Sequence, residues 1–227
     1  MKYLTILLVL LTTIPCHAQL FTGCASNGSN TPGQQFSLSV TTGNFQLDQW
    51  IGREGDIIRA FFEVNASLFM YDDSGSPNAR AFRQAETNLR PDGTVILGRA
   101  YVVQMYQFAG NMTVVPVTLA HEFGHIVDYK YRVNRFPGMK AELFADFMAG
   151  AYLFYRSYQT ETDVIANLKW FMKIGDYAAI NDPAHHGTPQ QRLAAALAGY
   201  YWLKSNSYPG VNVINAIAGT KNYLNLN

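Results

Sequence analysis

Apolar residues fall into short runs near the start of this chain and into longer helical stripes further on. Residues 4–11, apolar but for Thr5, form a short run behind Lys2, too short to span a bilayer. With Cys16-His17-Ala18 after it, the run reads as a signal peptide over 1–18, cut before Gln19. Residues 19–35, rich in Gly, Ser, Asn, Thr and Gln, read as a flexible segment. Alternation over 36–40 predicts a first short strand. Leu47, Trp50, Ile51, Ile57, Ile58, Phe61 and Phe62 predict a helix over 45–64, interrupted at Gly52 and Gly55. A strand over 68–71 ends in the turn residues 72–77. Pro91-Asp92-Gly93 then leads into 94–103, β-branched and aromatic. That run predicts an edge strand, to which an extended peptide could add by backbone pairing.

The second half reads as helices. Pro116 suits a first helical turn, so a helix is predicted over 116–131, followed by a break at 134–138. Further helices are expected over 139–158 and 162–176, then a polar loop over 181–187 that holds His185 and His186. Thr188, Pro189 and Gln191 form a capping-box start for a helix to about residue 205, and a short helix over 211–218 closes the chain. No internal repeat is evident. The layout predicts an α+β fold: a small β-containing N-terminal lobe with an edge strand, and an all-helical C-terminal half. Residues 36–227 are enough for a single domain with a substantial core.

Composition narrows the function classes. Of 227 residues 48% are hydrophobic, and 17 Lys and Arg nearly balance 16 Asp and Glu. Nothing in that balance points to nucleic acid or an anionic membrane surface. No segment beyond the leader is long and apolar enough for a membrane span. The expected protein is therefore exported and soluble, periplasmic or secreted. Loss of Cys16 with the leader would leave only Cys24, so no internal disulfide can form. Phe21-Thr22-Gly23-Cys24 is a distant relative of a lipid-attachment signal, with a plain thiol as the ordinary reading.

The chemistry concentrates in His121-Glu122-Phe123-Gly124-His125. On a helix, positions four apart share a face, so both rings can reach one metal ion. Glu122, about 100° round the helix, can meet a water on that metal. The plainer alternative is two surface histidines beside a glutamate. Against it, four of the five histidines fall in only two clusters. Two histidines do not complete a catalytic zinc site, which takes three protein ligands. Asp128 and Tyr131 stand where a metzincin would continue with Gly and His, so that extension fails.

Glu142 and Asp146, also four apart, offer carboxylates: one could bind metal while the other accepts a hydrogen bond from a ligating histidine. Distance is the difficulty. The first helix runs about 9 Å beyond His125, and the second returns only about 5 Å before Glu142, at 1.5 Å per residue. A strictly antiparallel hairpin falls short unless the loop descends or the helices cross.

HExxH followed by Glu142-Leu143-Phe144-Ala145-Asp146 resembles the gluzincin zinc peptidases. The local match is closer to bacterial neutral zinc metallopeptidases. It extends over Ala141 and Phe147-Met148-Ala149-Gly150, and over His186-Gly187-Thr188-Pro189-Gln190-Gln191-Arg192. Asn78-Ala79 and Pro91-Asp92-Gly93-Thr94 are similar to the segment before the zinc helix in membrane-associated gluzincins.

The resemblance implies a zincin-like catalytic domain with the HExxH helix at the cleft. His121, His125 and Glu142 would bind Zn2+, Glu122 would be the general base, and Asp146 would orient a ligating histidine. His186 would stabilise the oxyanion, Arg192 would hold its loop through a carboxylate, and His185 receives no role. The implied activity is zinc-dependent hydrolysis of a protein or peptide substrate lying along 94–103. A zinc-containing scaffold or chaperone-like envelope protein that keeps the fold without proteolysis is the alternative.

Overall fold

The computed structural model describes residues 25–26, 31–134, 138–156, 160–178, 185–206 and 212–226. The expected signal peptide and Cys24 lie outside them. The fold is α+β. Five strands, β1 (Ala25–Ser26), β2 (Leu38–Ser39), β3 (Ser67–Tyr71), β4 (Ala79–Phe82) and β5 (Thr94–Gly98), form one mixed sheet in the order β1-β4-β5-β3-β2. β3 runs parallel to β5, from Ser67 opposite Thr94 to Tyr71 opposite Gly98, while β4 lies antiparallel on the other side of β5. The described helices are α1 (Pro32–Gln35), α2 (Phe45–Phe62), α3 (Arg99–Ala109), α4 (Val115–Tyr131), α5 (Met139–Arg156), α6 (Glu161–Leu168), α7 (Trp170–Ile174), α8 (Pro189–Asn206) and α9 (Val213–Leu224).

Three expectations change. The run 94–103 is not an edge strand. Its first half, β5, is bonded to β3 on one side and β4 on the other and is buried throughout, so no peptide can pair with it. Its second half is the start of α3. The cause is tertiary: the buried Asp73 carboxylate accepts the Ala100 and Tyr101 N–H groups at 2.7 and 3.1 Å, capping a helix that the β-branched pair Val102-Val103 disfavours.

The segment 19–35 is also less uniform than its composition suggests. Thr31-Pro32-Gly33-Gln34 carries proline at the helix start and a glutamine whose side chain accepts the Thr31 N–H at 2.9 Å, which makes α1. Lastly, the helix expected over 162–176 divides at Lys169 into α6 and α7. The helix over 45–64 survives its glycines: Gly55 is buried with its Cα facing Leu68, where a methyl group would come within 2.9 Å of the leucine side chain.

α4 is the axis of the molecule, buried from Val115 through Asp128. It touches β4 and β5 on one side and α2, α3 and α5 around the others. α5 is buried from Ala141 to Leu153, between α4 on one face and α8 and α9 on the other. Two glycines bring α8 unusually close. A Cβ on Gly150 would sit 1.8 Å from the Ala196 carbonyl oxygen, and one on Gly199 would sit 1.9 Å from that of Phe147. α8 is therefore held in register against α5, backbone to backbone. No described helix is long and apolar enough to cross a membrane.

Candidate metal centre

The site forms where α4, α5 and α8 meet. α4 ends in a tight turn. Arg132 takes a left-handed conformation (φ 52°) and its N–H closes on the Asp128 carbonyl, while the Asp128 carboxylate accepts the Asn134 N–H at 2.7 Å. The residue that rules out a metzincin extension thus builds the turn. The two helices then meet at Gly124 and Ala145, where a Cβ on Gly124 would stand 3.0 Å from the Ala145 Cα. About 10 Å of α4 lies beyond Gly124 and about 9 Å of α5 precedes Ala145, at 1.5 Å per residue. The helices reach the crossing in step, and the side chains of His125 and Glu142 span the remaining offset.

Three ligand-type atoms converge there. His121 Nε2 lies 3.2 Å from His125 Nε2 and 3.4 Å from Glu142 Oε2, and His125 Nε2 lies 3.5 Å from Glu142 Oε1. Each separation is near the roughly 3.3 Å between two ligand atoms bonded at 2.0–2.1 Å to one tetrahedral metal, the histidines approaching different oxygens of Glu142. All three residues are buried. The protons fit as well. His121 Nδ1 lies 2.8 Å from Asp146 Oδ1, which places the ring hydrogen on Nδ1 and leaves Nε2 a lone pair. Burial pushes His125 down to about 4, so its ring is neutral near pH 7. Burial alone would raise the Glu142 carboxyl, but the neighbouring His125, His121 and Arg192 side chains hold it well below the usual carboxylate range. Two imidazole nitrogens and a carboxylate converging at these distances suit a cation among them. His121, His125 and Glu142 could hold a metal ion.

The surroundings are polar but closed. Arg192, from the first turn of α8, is 1% exposed and grips Asp146 with Nε on Oδ2 and an Nη on Oδ1, both at 2.8 Å. The same Nη lies 3.4 Å from Glu142 Oε2 and 3.4 Å from both His121 ring nitrogens, and the guanidinium packs over Phe171. Glu122, itself buried, follows His121 on the helix. Tyr129 stacks on His125, with ring centroids 6.4 Å apart, and burial first, then the charges of Glu122 and Glu142, push its phenol far up.

His186 belongs to a neighbouring arrangement. Its N–H and Nδ1 lie 2.7 and 3.1 Å from one oxygen of Asp176, and His185, also buried, places Nδ1 2.5 Å from the other. Burial alone would raise Asp176, yet these contacts hold it at about 2. Gly187 (φ 96°) lies against Arg192, Leu143 and Met139. Among the described residues His186 is not part of the group able to hold a metal.

No protein-family model matches the chain, and neither the curated proteins nor the solved structures contain a significant match. Its residues alone speak for the site. Sequence reasoning placed His121, His125, Glu142 and Asp146 together, and they are together. It missed how deeply Arg192 enters and that Asp176 gathers both loop histidines. The available signal for Arg192 was its place in the first turn of a helix whose following residues, Leu193 to Leu197, are uniformly apolar.

Proposed function

We propose that this chain is an exported zinc-dependent endopeptidase of zincin-like fold, with His121, His125 and Glu142 as metal ligands. The observation that carries the reading is the convergence of His121, His125 and Glu142 at separations that suit one metal ion, with Glu122 next to His121 on the same helix and buried. Formal charges agree: the three carboxylates Glu122, Glu142 and Asp146 against the one guanidinium of Arg192 leave two negative charges for a divalent ion. Zinc suits two imidazoles and one carboxylate. Bound there, it supplies Lewis acidity toward a peptide carbonyl and makes water nucleophilic near neutral pH.

Glu122 takes the proton of the attacking water on its carboxylate and delivers it to the leaving amine nitrogen. Asp146 holds the Nδ1 hydrogen of His121 throughout, so the ring cannot turn. His186, were it protonated on both ring nitrogens with Nδ1–H toward Asp176, would donate Nε2–H to the substrate oxygen that gains charge. An extended substrate would pair with the outer edge of β4, the strand beside α4 whose other edge is taken by β5, and it would displace Ala25–Ser26 from that position.

One observation favours the second reading, a zinc-containing scaffold or chaperone-like envelope protein. His121, Glu122, His125 and Glu142 are each at most 3% exposed, and a hydrolase must admit both substrate and water. Incubating the purified protein with an unstructured polypeptide, with and without a zinc chelator, separates the two. Chelator-sensitive cleavage is expected. Stoichiometric zinc with no cleavage would overturn the peptidase reading in favour of the scaffold.

A further inference from the structure

We propose that Arg192 is a positioning residue for the metal centre, fixing the His121 ring through Asp146 before any metal arrives. The inference rests on the metal-site reading above. A carboxylate alone can rotate and offer a histidine either oxygen. Here both Asp146 oxygens are engaged by one guanidinium at 2.8 Å, in the paired geometry that only arginine supplies. Oδ1 is thereby fixed where it meets His121 Nδ1 at 2.8 Å, and Nε2 is committed to the side of His125 and Glu142.

Arg192 itself has little freedom. One Nη donates to the Ile174 carbonyl at 3.3 Å, Phe171 lies under the guanidinium, and the side chain is buried. Tying α8 to α5 does not account for it, because the close approaches at Gly150 and Gly199 already do that along the whole crossing. Its position also places a fixed positive charge 3.4 Å from Glu142 Oε2, which lets two carboxylates stand buried side by side in the metal-free chain. The ligand set is therefore assembled from α8 as well as from the two helices that carry it.

The test compares wild type, Arg192→Lys and Arg192→Met in the full chain. Zinc affinity is read by competition with a chromophoric chelator, the His121 tautomer by ring 15N shifts in the metal-free protein, and stability by thermal unfolding. Lysine keeps the charge but cannot grip both oxygens. Arg192→Lys is expected to fold, to bind zinc about 10–100-fold more weakly, and to lose the single Nδ1–H form of His121. Arg192→Met is expected to do worse on every readout; should it not fold, Arg192→Lys decides. An Arg192→Lys protein with a lowered melting temperature but unchanged zinc affinity and unchanged His121 tautomer would reduce Arg192 to a structural residue and overturn the proposal. A wild type that takes no zinc would defeat the metal reading instead, and the His121 ring signal would still decide the role of Arg192.

Discussion

Helix α5 carries two buried carboxylate–arginine clusters, and they differ in one respect. Near its C-terminal end Glu54, 2% exposed, receives the Tyr152 hydroxyl at 2.5 Å and both arms of Arg156 at 3.0 Å. Donors meet acceptors, and the cluster fastens α2 to α5. Near its N-terminal end Asp146 and Arg192 make the same fork, but beyond it His121 Nε2, His125 Nε2 and the Glu142 carboxylate converge as a group of ligand-type atoms. The first cluster is complete as protein. The second could hold a metal ion, and that difference separates a staple from a candidate site.

The comparison can be broken in several ways. The largest effect is expected at Glu122, which follows His121 on α4 and is the proposed general base. Glu122→Gln should keep its zinc and lose about 10²–10⁴-fold in peptide cleavage, measured as kcat/KM beside metal analysis. A fully active variant would remove the general base from the account.

Acid should act on the metal-free site. His125 titrates near 4 when folded, below its ordinary value of about 6.5. Between those values the unfolded chain holds a proton that the folded chain refuses, so stability falls as pH drops from about 6.5 to 4, by about 1.4 kcal/mol per unit at most. Urea unfolding of chelator-treated protein across that window measures it, and a flat profile would contradict the assigned neutral ring.

Glu54→Gln probes the other cluster. It should cost about 1.5–3 kcal/mol of stability and leave zinc affinity unchanged; a change in zinc affinity would mean the clusters are coupled along α5. The smallest effect is expected at Gly124→Ala, where the added methyl presses on the Ala145 backbone. Overpacking of about 1–3 kcal/mol is partly offset by about 1 kcal/mol of helix propensity. Because it parts α4 from α5, it should weaken zinc binding, unlike Glu54→Gln.

What the sequence revealed follows from what is local. The histidines at 121 and 125 and the carboxylates at 142 and 146 could be read together because helical pitch fixes which residues share a face. The α2 helix and the capping-box start of α8 were legible for similar reasons. Sheet order is not local: Thr94 to Gly98 has the composition of a strand, but nothing in it says that β3 and β4 enclose it on both sides. α3 was missed because its cap comes from Asp73, more than twenty residues earlier. Arg192 was read as a loop anchor because its partner, Asp146, lies on another helix, and their approach depends on Gly150 and Gly199. The shortfall between His125 and Glu142 was real in the backbone. The helices approach closely at Gly124 and Ala145, both small, and the side chains of His125 and Glu142 span what remains.

The most direct measurement is metal content. Purified protein, reconstituted with zinc and freed of excess, should hold one zinc per chain, and His121→Ala, His125→Ala and Glu142→Ala should each lose it while Glu54→Gln retains it. A wild-type chain without zinc, or full occupancy in any of the three alanine variants, would contradict the assignment of these side chains as the metal centre.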